Sequence, residues 1–131
     1  MRLARKLFRQ RSLAERMGER PSLRVRFFLN VHREPGDTSL AEEILRRFAL
    51  RFQTHEWPGG RLPEVYYDPR SLDQEAAKRC SLHAKCIVID RRTAFVTSAN
   101  FTEAAQTRNI AVGALIRCQR FAARLAEHLE T

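Results

Sequence analysis

The stretch SLHAKCIVIDRRTAFVTSAN, residues 81–100, decides how this chain is read. It is mostly apolar, yet its first half holds two polar side chains, His83 and Lys85, only two residues apart. The pattern predicts one strand over about 82–90, a turn at Arg91–Arg92 and a second strand over about 93–98. Both strands are apolar on both faces, as expected at the centre of a sheet covered by helices. Residues two apart in a strand share a face, so His83 and Lys85 point the same way. If the strands pair as a hairpin, Ser98 and Asn100 return near the start of the first one.

Working outward, residues 2–17 carry Leu3, Leu7, Phe8, Leu13, Ala14 and Met17 at loose helical spacing, and Pro21 ends that helix. In SLRVRFFLNVH, residues 22–32, Val25, Phe27, Leu29 and Val31 alternate with Arg24, Arg26 and Asn30, which predicts a strand with one apolar face. EPGDTS is a turn, and Thr38 or Ser39 is placed to cap a helix over about 39–52. There Leu40, Ile44, Phe48 and Phe52 form the apolar stripe, while Arg46, Arg47 and Arg51 face away. EVYYD, residues 64–68, reads as a short strand and residues 69–81 as a connection. FTEAAQ, residues 101–106, reads as a short helix or turn, NIAVGALI, 109–116, as a buried strand, and CQRFAARLAEHLE, 118–130, as an amphipathic helix. The expectation is a single α/β domain over 1–131: a basic helix over 1–20, a core of mixed β-sheet flanked by helices over 23–117, and a closing helix over 118–131.

At 131 residues the chain can bury a real core. No run approaches the roughly 18 apolar residues of a membrane span. The net charge of +9 favours a polyanionic partner, nucleic acid ahead of an acidic membrane surface. The basic residues are 21 arginines and three lysines, Lys6, Lys78 and Lys85, so a lysine within a strand suggests that a compact ammonium is wanted there. Three cysteines, Cys80, Cys86 and Cys118, make no even disulfide framework and point to a reducing cytoplasm. Cys80, His83 and Cys86 have the spacing C-x2-H-x2-C, but in a strand Cys86 would point away from His83. No metal and no cofactor is expected.

His83, Lys85, Asp90, Ser98 and Asn100 together form the constellation H-x-K-x4-D-x7-S-x-N. A phosphodiester repels nucleophiles through its own charge, and an ammonium and an amide donor aimed at its non-bridging oxygens offset that charge. A neutral imidazole is a competent nucleophile near pH 7 and leaves a phosphohistidine that water can attack. An aspartate at this place is as often only a turn residue.

This stretch resembles the phospholipase D superfamily, whose motif is H-x-K-x4-D-x6-G-S-x-N, with Thr97 here in place of the glycine. The continuation NFTEAAQTRNIAVGALI is similar to the small nuclease branch of that superfamily. The wording of residues 23–117, especially RFFLNVHREPGDTS, WPGGRLPEVYYDPRSLD and SLHAKCIVID, is most similar to the phospholipase D-like component of bacterial DISARM anti-phage systems. The resemblance implies a mixed α/β sandwich, metal-independent chemistry, His83 as nucleophile, and Lys85 and Asn100 holding the phosphate with help from Ser98 and a supporting Asp90. It also implies a strand–helix–strand lead-in ahead of the first helix, so the chain is expected to be a phospholipase D-like half, shortened at its N-terminus.

Two features qualify that expectation. In an in-line displacement the leaving oxygen lies opposite the attacking imidazole, so a second acid must come from the far side. His32, His55 and His128 stand in no comparable setting, which predicts a homodimer or pairing with a second motif-bearing chain. The family also carries an acidic residue just after the asparagine of the third strand to hold the imidazole, where this chain has Ala111. The leading expectation is therefore a nuclease acting on DNA first among nucleic acids. Arg91, Arg92, Arg108 and the arginines of the 39–52 helix would lie on backbone phosphates. The alternative is a weakened or inactive nucleic-acid-binding subunit of a defence complex. A phospholipid hydrolase ranks third, because no apolar interfacial loop is evident.

Overall fold

The computed structural model describes residues 2–99 and 110–131. The fold is mixed α/β and divides into two compact units, Met1–Leu82 and His83–Thr131. Each carries its own small sheet, in place of the one sheet the sequence suggests.

In the first unit, α1 (Arg2–Glu19) ends just ahead of Pro21, as the sequence requires. Strands β1 (Arg26–Phe28) and β2 (Glu64–Tyr66) pair in parallel, with Phe27 opposite Val65. β1 is much shorter than the 22–32 run predicts, because only three residues find ladder partners. Flanking bonds from Glu64 N to Val25 O and from Leu29 N to Tyr66 O extend the pairing by single contacts. The inward side chains Phe27 and Val65 join Met17, Phe52 and Trp57 in the main core. Phe27 meets Phe52 and Trp57 edge-on, with ring centroids 6.4 and 5.9 Å apart. On the other face Arg26 pairs with Glu64 at 3.0 Å, and Phe28 stacks on Tyr66 at 5.3 Å.

Helix α2 (Ala41–Arg51) runs into a π-helical turn, Phe52–Glu56, that brings Trp57 into the core. Of the expected stripe, Ile44 and Phe52 are buried, whereas Leu40 is 70% exposed because it is the N-cap residue and lies outside the helix. Neither Thr38 nor Ser39 caps α2, and Leu40 makes no side-chain cap bond. The Asp37 carboxylate instead accepts from the Ser39 N–H at 2.9 Å and from Arg47 at 2.9 Å. The Ser39 contacts foremost, with Arg47 behind them, pull the Asp37 carboxyl down to about 2. Buried Arg33 donates to the carbonyls of Leu72, Asp37 and Ser39. Arg61 likewise ties down the carbonyls of Met17, Arg20 and Leu23.

In the second unit, β3 (Cys86–Ile89), β4 (Thr93–Thr97) and β5 (Gly113–Ile116) form an antiparallel sheet in that order, followed by α3 (Gln119–Glu130). Register places Val88, Ala94 and Ile116 on one face and Ile87, Phe95 and Leu115 on the other. Ala94 is fully buried, as are Ala122 and, nearly, Ala126 of α3, so a small-residue seam joins the helix to the sheet. The opposite face is open: Ile87, Ile89 and Leu115 are 47, 57 and 58% exposed. The expectation that these strands are covered on both faces, with 109–116 buried, therefore fails. Among the described residues of this unit, α3 covers one face only. Among the described residues no helix is long and apolar enough to cross a membrane.

Candidate active site

The motif lies at the very start of the second unit. His83 is exposed and Lys85 half-buried, and both stand ahead of β3 on non-strand backbone, not within the 82–90 strand that the sequence predicts. The ladder still reaches Lys85 by one bond, since its carbonyl accepts from Thr97 N at 2.9 Å. Ladder pairing with β4 ends at Cys86, opposite Val96, one step short of Lys85.

That bond fixes the return of the hairpin. Ser98, next to Thr97, comes back at the lysine end of the sheet, as the spacing predicts. Its hydroxyl is occupied, accepting from Val112 N at 3.1 Å and donating to Val112 O at 3.3 Å. Ser98 N also donates to Val112 O, so Ser98 locks the approach to β5. Thr97, where the family motif has glycine, joins this lock. Its Oγ1 donates to Val112 O and accepts from Ala99 N. The small residue sits instead across the ladder, where Gly113 pairs with Thr97. A Cβ on Gly113 would come within 2.7 Å of the Phe95 ring.

Asp90 is at the other end of the hairpin. It and Arg91 occupy the two left-handed positions of the turn, φ 52° and 53°, closed by Arg92 N to Ile89 O at 3.0 Å. This is the arrangement of a type I′ turn, one residue earlier than the expected Arg91–Arg92. Aspartate tolerates such a φ better than most residues, which supplies a structural reason for Asp90. Five residue steps of largely extended chain lead from Lys85 to Asp90, roughly 16 Å at the usual rise. Arg91 is engaged by Glu127 and Glu130 of α3, and Arg92 is exposed at the same turn. Both lie far along the sheet from His83. Asn100 and Arg108 fall outside the described residues, as does the 101–106 segment.

Lys85 Nζ donates to the His83 carbonyl at 2.8 Å. The ammonium is thus folded onto its own backbone and must exchange that bond for a phosphate oxygen, a trade of about 1 kcal/mol in partially wet surroundings. Ala111 is exposed and immediately precedes Val112, which places it at the same end of the sheet as Lys85. Of the arginines predicted to face away on α2, Arg46 pairs with Glu43, Arg47 with Asp37 and Arg51 with Glu56. Burial pushes the Cys86 thiol above its ordinary range, the opposite of what a thiolate ligand needs. Among the described residues no three His, Cys, Asp or Glu side chains gather as a metal site. A cavity of about 360 Å3 lined by Val31, Leu45, Phe48, Phe52, Val65 and Tyr67 carries none of the motif residues.

Sequence reasoning missed one participant. Asn30 donates through Nδ2 to Leu82 O and accepts at Oδ1 from Leu82 N, both at 2.7 Å. It read as one polar residue of an alternating strand, and its partner 52 positions away leaves no local signal.

Residues 60–131 match the family described as "Cardiolipin synthase, PLD-like domain", a span that covers more than half of the chain and the whole H-x-K-x4-D-x7-S-x-N constellation. No curated protein and no solved structure matches the chain. With the family match and the hairpin that carries its motif, the chain belongs to the phospholipase D-like domain family.

Proposed function

We propose that this protein is a metal-independent phosphodiesterase that cuts nucleic acid, DNA foremost, through a phosphohistidine at His83. The observation that supports this most is the hairpin bond from Thr97 to Lys85, which gathers the imidazole-bearing segment, the ammonium and the Ser98 turn at one sheet end. In the first step an unprotonated His83 nitrogen bonds to phosphorus, and the bond from phosphorus to the leaving oxygen breaks. That oxygen takes a proton from an acid on the far side. In the second step water bonds to phosphorus, gives its proton to the same far-side group, and the P–N bond to His83 breaks. Lys85 and Asn100 neutralise the non-bridging oxygens. One chain holds one motif, so the far-side acid is His83 of a second copy or of another motif-bearing chain. The net charge of +9 favours polyanionic nucleic acid over a diester that carries a single negative charge. The resemblance of residues 23–117 to the DISARM component supports a role in anti-phage defence.

Cleavage of single- and double-stranded DNA in excess EDTA tests the reading. Cleavage by the wild type that vanishes in His83→Ala supports it. A folded wild type that binds DNA without cutting it would leave the second reading, a non-catalytic binding subunit. Two features favour that second reading: Ala111 at the acidic position, and Lys85 bonded to the His83 carbonyl. Ala111→Glu then discriminates, since a restored orienting carboxylate raises cleavage on the order of tenfold or more if ring orientation is what limits it.

A further inference from the structure

We infer that Asn30 is a positioning residue for His83, a role that rests on the reading of His83 as the reacting imidazole. Leu82 is bonded directly to His83, and both of its backbone polar groups are taken by one side chain, Nδ2 to the carbonyl and Oδ1 from the amide, each at 2.7 Å. This copies the closely spaced bond pair of an antiparallel ladder, with a carboxamide standing in for a neighbouring strand. A carboxamide can do so because it holds a donor and an acceptor side by side, whereas a carboxylate can only accept.

Downstream, the next backbone anchor is the Lys85 carbonyl on Thr97 N. Only His83 and Ala84 lie between the two anchors. Upstream, the preceding anchor is the long 3.4 Å contact from Cys80 N to Arg70 O. With these the anchors among the described residues, removing the Asn30 carboxamide frees the chain between Cys80 and Lys85, with His83 in the middle. The motif segment precedes β3 and has no strand of its own to hold it, so the side chain supplies what the ladder does not. A displacement of about 1 Å at a nucleophile can cost on the order of 100-fold in rate.

The test uses the full chain as wild type, Asn30→Ala and Asn30→Asp. Histidine Cε1–Hε1 NMR signals report the ring, with His32, His55 and His128 as internal references. In Asn30→Ala the His83 signal is expected to move toward the position of an unfolded chain while the His55 and His128 signals stay, and kcat falls about 10- to 100-fold with KM changed less. In Asn30→Asp the ionised carboxylate opposes the Leu82 carbonyl, and protonation restores a donor. The His83 signal and the rate relative to wild type should therefore recover as pH falls through the titration of the introduced carboxyl. If Asn30→Ala does not fold, this recovery alone decides. A His83 signal unmoved in Asn30→Ala, or indifferent to that carboxyl titration in Asn30→Asp, overturns the inference. Wild type that neither cleaves DNA nor shifts its His83 signal with inorganic phosphate overturns the catalytic reading instead, and the histidine spectra still judge Asn30.

Discussion

The two units bury themselves by different means. The first surrounds Met17, Phe52 and Trp57 with large side chains, and its rings meet at centroid distances near 6 Å. The second rests on the alanine seam of Ala94, Ala122 and Ala126 and on ladder bonds, and leaves Ile87, Ile89 and Leu115 to solvent. The contrast teaches where rigidity is invested. Aromatic packing holds the first unit together, and within that unit the side chain of Asn30 bonds Leu82. The second unit carries the motif residues on a thin sheet whose shape depends on close helix approach.

Trp57→Ala should therefore cost most, about 3–5 kcal/mol, by emptying the centre of the aromatic core. Amide exchange across β3–β5 then shows whether the second unit survives. Uniform loss of protection in both sheets would mean one cooperative block and break the contrast. Ala94→Leu comes next, at about 1–3 kcal/mol, because Ala94 is fully buried and a larger side chain must displace its neighbours. Its effect should be confined to exchange in β3–β5 and α3, with Trp57 fluorescence unchanged.

A pH effect sharpens the first side of the comparison. Hydrogen bonds from Arg24 foremost, then from Tyr66 and Arg26, pull Glu64 from 4.5 to about 2. A depressed carboxyl contributes stability that is fully present above its unfolded value and is lost as pH falls through the folded one. Glu64→Gln should thus flatten the decline of stability between pH 4.5 and about 2, in Trp57 fluorescence melts taken across that window. The group is open to solvent, so the change is modest. Smallest is Leu115→Ser on the open face, expected within about 0.5 kcal/mol of wild type by thermal melting. A cost several times larger would mean that this face is covered in solution.

Much of the secondary structure was legible. Stripes at helical spacing placed α1, α2 and α3, and the H-x-K-x4-D-x7-S-x-N spacing placed the hairpin and the return of Ser98 beside the lysine strand. The misreadings share a cause. A continuous apolar run reads as a strand covered on both faces, but coverage depends on how many helices the rest of the chain supplies. Strand ends were overestimated because the ladder is shorter than the apolar run: β3 begins only at Cys86, opposite Val96, and leaves His83 and Lys85 ahead of it. The arginines looked alike in the sequence, yet Arg33 and Arg61 are spent on backbone carbonyls and Arg91 on α3.

By itself, then, the sequence determined the H-x-K-x4-D-x7-S-x-N spacing, the hairpin that carries it and the net charge of +9, since all three are local in spacing or additive in composition. The tertiary structure alone decided that Asp90 sits at the far turn, that Thr97 and Ser98 lock Val112, that one sheet face stays open and that Asn30 holds Leu82. Each of those depends on partners many residues away, and hydrogen-bond geometry between distant residues leaves no periodic trace in the chain.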